Sequence, residues 1–283
     1  MTAYHRPTDL TQALALLAGG NLCVAAGCTD LFPATTAKSL PGDVLDITAI
    51  AGLRGVTPVD GGWRIGAATT WSDLIAADLP PAFNGLKLAA REVGSVQIQN
   101  AGTIAGNLCT ASPSGDGVPC LLTLDASVEL CSSRGSRVLP LAEFLTGARR
   151  TARLADEMVS AILVPGYAGM GMGHFLKLGA RKYLIIAIAM VAARLETDGE
   201  LICRAAIAVG ACSAVATRLP ELEAALSGQR LAGCAELVTN ELVGPRLSPI
   251  DDIRADQAYR RMAATELVRR ALADLSHPER AAT

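Results

Sequence analysis

The chain has 283 residues, 51% of them hydrophobic and 18% charged, which is enough apolar sequence for one large or two medium cores and excludes a disordered or coiled-coil chain. Its 25 Lys and Arg stand against 27 Asp and Glu, so a formal net charge of −2 leaves no basic field for nucleic acid or an anionic membrane surface. The longest apolar run, Tyr183 to Ala193, falls short of the about 20 residues of a membrane span, so no span is expected. The first residues lack the basic-then-apolar order of a secretory leader, and the expected location is cytoplasmic.

In chain order, Leu10, Leu14 and Leu17 share one face of a helix predicted over residues 8–17, with Thr8 as its cap. Strands are predicted at 22–26 and 43–46, the first running into the turn Gly27-Cys28-Thr29-Asp30. A strand at 63–67, a helix at 71–77 after Thr70, a break at Pro80-Pro81 and a helix at 84–93 ending at Gly94 follow. A small-residue stretch, 102–117, leads into an apolar strand over 118–124, a strand at 126–131, a turn at Arg134-Gly135, a short helix at 141–145 and a strand at 160–164.

Four glycines in residues 166–173 predict a flexible connector between two domains, 1–168 and 174–283. The connector is not a dinucleotide fingerprint, because His174 or Leu176 stands where a third glycine is required. Beyond it, strands are predicted at 174–180, 184–195 and 201–209, the last two joined by an Asp198-Gly199 hairpin turn. Helices are predicted at 219–227, 232–243 and 255–275, with Asp251-Asp252 opening the last of them. The charges around Arg260-Arg261 and Arg269-Arg270 read as a solvated face or a partner surface. The fold class is therefore α+β, its second part three antiparallel strands and three helices.

None of the eight cysteines is separated from another by two residues, and none has a histidine at ligand spacing. No metal site within this chain is expected, and in a cytosolic chain the cysteines read as small buried hydrophobes.

Two segments carry the candidate chemistry. The first is Ala26-Gly27-Cys28-Thr29-Asp30-Leu31; the second is Thr103-Ile104-Ala105-Gly106-Asn107, followed by Ser112 and Asp116. Each places small residues where a strand is expected to end in a tight turn, so that backbone N–H groups can form a nest for phosphate oxygens. Neither contains Lys or Arg, and no P-loop lysine motif is present, which favours a diphosphate held by backbone and hydroxyls over a polyphosphate with magnesium. Asp116 could accept hydrogen bonds from a ribose or ribityl hydroxyl. Serine hydrolysis has no G-x-S-x-G elbow here.

At these residues the chain resembles the FAD-binding subunit of the molybdenum hydroxylases, the xanthine dehydrogenase and carbon monoxide dehydrogenase group. The family's A-G-G-T-D-L is matched by Ala26 to Leu31, and its T-I-G-G-N, A-S-P and trailing Asp by Thr103 to Asn107, Ala111-Ser112-Pro113 and Asp116. Lys177 and Arg181 match a K-x-x-x-R, and residues 248–254 with Tyr259-Arg260 resemble the family's C-terminal helix. The resemblance implies a two-lobed FAD-binding domain of the vanillyl-alcohol-oxidase (PCMH) type and a small sheet-and-helix domain. It implies non-covalent FAD, its diphosphate on the two segments and Asp116 as an anchor. An iron–sulfur small subunit and a molybdopterin-binding large subunit are the implied partners, with NAD or another electron acceptor. A stand-alone FAD-dependent reductase or oxidase of the same fold stays open as the alternative.

Three positions depart from the family pattern. Cys28 replaces a glycine, so φ < 0 is expected there. Ala105 replaces another. Ile185-Ile186 replaces an acidic–aromatic pair, leaving Ile186 either a cover for the flavin ring or a plain core residue.

Overall fold

The computed structural model describes residues 3–20, 22–37, 40 and 42–277; the predicted domain ends at 1–2 and 278–283 lie outside them. The chain opens with a small parallel sheet of β1 (Tyr4–His5), β2 (Leu22–Ala25) and β3 (Asp43–Asp46), in the order β1-β3-β2. Helix α1 (Leu10–Ala18) packs on it through Ala13 and Leu17. Its cap is Asp9 rather than Thr8, the carboxylate accepting from the Gln12 N–H at 2.9 Å.

A five-stranded antiparallel sheet follows, built from β4 (Val56–Val59) and β5 (Gly62–Gly66). After these come α2 (Trp71–Ala76), α3 (Asn84–Glu92), α4 (Val96–Ala101), α5 (Ile104–Thr110) and α6 (Gly117–Thr123). The sheet resumes with β6 (Ser127–Ser132) and β7 (Gly135–Pro140), and after α7 (Leu141–Phe144), β8 (Leu145–Gly147) and β9 (Arg150–Thr151) it closes with β10 (Met158–Pro165), in the order β4-β5-β10-β6-β7. The apolar strand expected over 118–124 is helix α6. Every residue of α6 is buried, so the segment has no polar face to betray its period, and Pro119 near its start suits a first helical turn.

The 166–173 connector is not a loose linker. Residues Gly166–Gly169 form a 3-10 turn, and any side chain at Gly169 would overlap the Trp63 ring. Trp63 in turn meets Phe83 edge-on at 5.2 Å.

The second sheet is β11 (Met172–Leu178), β12 (Ala189–Asp198), β13 (Leu201–Gly210) and a short fourth strand, β14 (Thr217–Arg218), all antiparallel in sequence order. Strand β12 begins at Ala189, not at 184: Leu184 adopts a left-handed φ of 51°, and the Ile188 N–H closes on the Leu178 carbonyl at 2.7 Å, which makes 179–187 a loop. Helices α8 (Pro220–Leu226), α9 (Asn240–Val243) and α10 (Gln257–Ser276) cover this sheet. The helix expected over 232–243 is split into a 3-10 turn at Cys234–Leu237 and α9, because Thr239 between them is extended.

Both halves share one core, in which Phe175, Met190, Ala192 and Ala208 pack with Trp71, Phe83 and Leu121. Helix α6 is held at both ends by the second half. Lys177 meets Asp116 at its start, while Arg194 Nε donates to the Thr123 carbonyl at 2.8 Å and Arg218 Nη1 to that of Leu122 at 2.9 Å. Cations at a helix C-terminus complete otherwise orphan carbonyls and match the dipole. Of the arginines expected on a solvated face, Arg261, Arg269 and Arg270 are exposed, whereas Arg260 is buried, 3% exposed. Among the described residues no helix is long and apolar enough to cross a membrane.

Candidate functional site

The two small-residue segments meet. A side chain at Gly27 would overlap the carbonyl of Ala101, so the backbone at Gly27 lies directly on the approach to Thr103. The second segment is a helix start rather than a strand end. Thr103 caps α5, its Oγ1 accepting from the Gly106 N–H at 3.1 Å, and the Ile104 N–H donates to the Thr69 carbonyl at 3.0 Å.

A cavity of about 590 Å³ opens between the segments. Ala26 to Leu31 line it, as do Thr103, Ala105, Gly106, Asn107 and, from the second half, Ile186. Ile186 is therefore a wall of the cavity, 51% exposed, and not a plain core residue. Two candidates do not reach the cavity. The Ile104 side chain is buried in the core, and Asp116 is turned to Lys177, with Nζ 3.0 Å from its carboxylate. Burial pushes the Asp116 carboxyl up to about 6, although Lys177 pulls against it.

The cavity wall carries open hydrogen-bonding capacity. Among the described residues the N–H groups from Gly27 to Leu31 have no protein acceptor; the local turn bonds there start only at Phe32, whose N–H reaches the Cys28 carbonyl. Asn107 Oδ1 is buried with no donor. Consecutive unpartnered N–H groups form an anion-binding concavity, and a buried amide oxygen without a partner is a costly feature unless a ligand donor meets it.

Two cations face this cavity that neither segment contains. Arg149 and Arg153 line it from the β8–β9 hairpin and just beyond. Arg149 Nη1 donates to Asp30 at 2.9 Å, and Arg153 Nη1 to the Glu157 carbonyl at 2.7 Å. Their separation in sequence from both segments hid them, and no local pattern marks them.

Cys28 departs from the expectation. Its φ is +56°, the left-handed value a glycine would take, so the turn keeps its shape and the cysteine bears the strain. Its thiol lines the cavity beside Cys23 and Cys109, and burial pushes the Cys28 thiol up, keeping it protonated.

Residues 1–167 match the family described as FAD binding domain in molybdopterin dehydrogenase, and residues 174–275 the CO dehydrogenase flavoprotein C-terminal domain. The chain belongs to the FAD subunits of the molybdenum hydroxylases. It is 32% identical to the xanthine dehydrogenase FAD-binding subunit of Escherichia coli O157:H7 over 257 residues, 87% of each chain. It is 29% identical to the nicotine 6-hydroxylase medium subunit of Paenarthrobacter nicotinovorans over 275 residues, 96% of each. A carbon monoxide dehydrogenase of Hydrogenophaga pseudoflava, solved without the Mo-pyranopterin moiety of its cofactor, contains a chain with the same fold at a TM-score of 0.88 and 28% identity, covering 96% of both. This molybdenum hydroxylase subunit is thus an oxidoreductase component of the α+β class whose cofactor is FAD.

Proposed function

We propose that FAD occupies the 590 Å³ cavity, its diphosphate on the open N–H groups of Gly27 to Leu31, and that the chain relays electrons within a larger complex. The run of unpartnered N–H groups carries this reading, because a diphosphate supplies the acceptors they lack. Arg149 and Arg153 offset its charge. Thr29, Thr103, Gly106 and Asn107 complete the wall, and Ala26, Cys28, Asp30 and Ala105 shape it. Asn107 Oδ1 accepts a donor from the cofactor, and Ile186 shields it from the second half. Asp116 acts at one remove, by fixing Lys177 and the start of α6.

Bound FAD supplies the exchange of electrons singly or in pairs. The chain's own residues bind it, exclude water and hold it between two halves, divided at 166–173 into units 1–168 and 174–283. An iron–sulfur small subunit delivers electrons, a molybdopterin-binding large subunit performs the hydroxylation, and NAD or another acceptor takes the electrons onward. Relatives named as medium subunits or medium chains support such an assembly.

Asn107→Leu tests the site. Its orphan oxygen stabilises nothing in the protein, so the cofactor-free chain should melt no lower than wild type. The variant produced with its partner subunits should nonetheless lose most of its flavin on gel filtration. Full flavin retention would overturn the assignment.

A further inference from the structure

Arg260 lies in the first turn of α10 and is buried, with almost no solvent contact to offset the cost of its charge. Its Nη1 donates to the Ile188 carbonyl at 2.6 Å and to the Ala211 carbonyl at 3.1 Å, and its Nη2 donates to Asp252 Oδ1 at 2.7 Å. Asp252 is itself fixed: it accepts from the backbone N–H groups of Arg254 and Ala255 and from the Arg254 guanidinium.

The two carbonyls lead to two separate stretches of the flavin cavity's lining. Ile188 ends the loop 179–187, and Ile186 reaches the cavity from that loop. The Ala211 N–H donates to the Pro113 carbonyl at 2.9 Å, and Ser112 and Ser114 on either side of Pro113 line the cavity. Ala211 holds a left-handed φ of 63°, which a residue with a Cβ keeps only when its surroundings impose it. A guanidinium suits this task because its planar fork fixes several donors at set angles, whereas an ammonium is a single rotating point.

We infer that Arg260 is a positioning residue: aimed by Asp252, it fixes the Ile186 loop and the Ser112–Gly115 segment relative to each other and so sets how far the cavity's occupant is shielded. This rests on the reading that the occupant is FAD.

The test uses the complex produced with its partner subunits, as wild type and as Arg260→Met, Arg260→Lys, Asp252→Asn and Ile186→Ala. Flavin per chain, iodide quenching of flavin fluorescence and the rate of reoxidation of the dithionite-reduced complex by ferricyanide are measured. Flavin should stay bound, while quenching and reoxidation rise about threefold in Arg260→Met and by less in Arg260→Lys and Asp252→Asn, following the number of donors and the aim retained. Ile186→Ala should raise both as well, and adding Arg260→Met to it should raise them little further, because both act through one cover. Wild-type quenching and reoxidation in Arg260→Met, with flavin bound, would overturn the inference; if that variant does not fold, Arg260→Lys and Asp252→Asn decide by the same measure. A wild-type complex without flavin would instead overturn the reading beneath it.

Discussion

Lys177 on β11 holds Asp116 at the start of α6 with Nζ 3.0 Å from its carboxylate, a buried pair joining residues 61 apart across the two halves of the chain. The ammonium also reaches the Glu92 carbonyl at 3.4 Å, so three elements converge on one charge.

This pair makes stability depend on pH in a definite sense. Burial raises the Asp116 carboxyl from 3.8 to about 6. Folding therefore favours its protonated form, whose contribution is complete below the lower value and lost as pH rises through the upper one, an effect of about 3 kcal/mol. Lys177→Met removes the influence that pulls Asp116 down. Urea unfolding should show the variant losing about 2–4 kcal/mol near pH 8 and clearly less near pH 5, where the carboxyl is neutral. An equal loss at both values would mean that the pair is not its origin.

Much of this arrangement was legible in the sequence. The segments at 26–31 and 103–107 stood out because small residues cluster there, and the structure brings both to one cavity. Arg149 and Arg153 were invisible because they reach the cavity only through tertiary folding of the β8–β9 hairpin. Arg260 was misread for a related reason. Helix α10 carries so many charges that its sequence suggests a solvated face, and only the carbonyls of Ile188 and Ala211 explain a buried one. Helix α6 was misread because total burial erases the periodicity that separates helix from strand.

Cys28 stores strain that glycine would relieve. Its left-handed φ of +56° costs about 1–2 kcal/mol for a residue with a Cβ. Glycine removes that cost but gains freedom in the unfolded chain, so Cys28→Gly should stabilise by about 0.5–1 kcal/mol net. Calorimetry should place its midpoint about 1–3 °C above wild type, with flavin content unchanged. A lower midpoint would mean that the thiol's contact with the Ala26 carbonyl outweighs the strain.

The two arginines should act through charge. Arg149 and Asp30 are both more than half exposed, so their ion pair adds little to the fold. Arg149→Gln should leave the melting midpoint nearly unchanged and Arg153→Gln should lower it slightly, since it gives up the bond to the Glu157 carbonyl; each should weaken FAD retention about five- to tenfold, as expected for loss of one charge-assisted contact to a diphosphate. Added salt should weaken flavin retention in wild type more than in the double variant, since the screened interaction is already gone. Fluorimetric titration of the cofactor-free chain at two ionic strengths separates this from a structural effect.

Gly27→Ala isolates the other requirement, close approach of backbone. Gly27 does not hold a positive φ, so alanine is conformationally acceptable there and only space is at issue. The new methyl would overlap the Ala101 carbonyl and sit against Gly102, both backbone groups that cannot rotate away. The segments must then separate, which moves the open N–H groups of 27–31 away from Thr103 and Asn107 while leaving the buried clusters of both halves intact. The expected result is a folded chain, destabilised by about 1–3 kcal/mol as for other overpacked sites, that carries less than about one tenth of the wild-type flavin. Its far-ultraviolet circular dichroism should match wild type. Gly27→Ala with full flavin content would show that the contact at Ala101 does not govern the cavity.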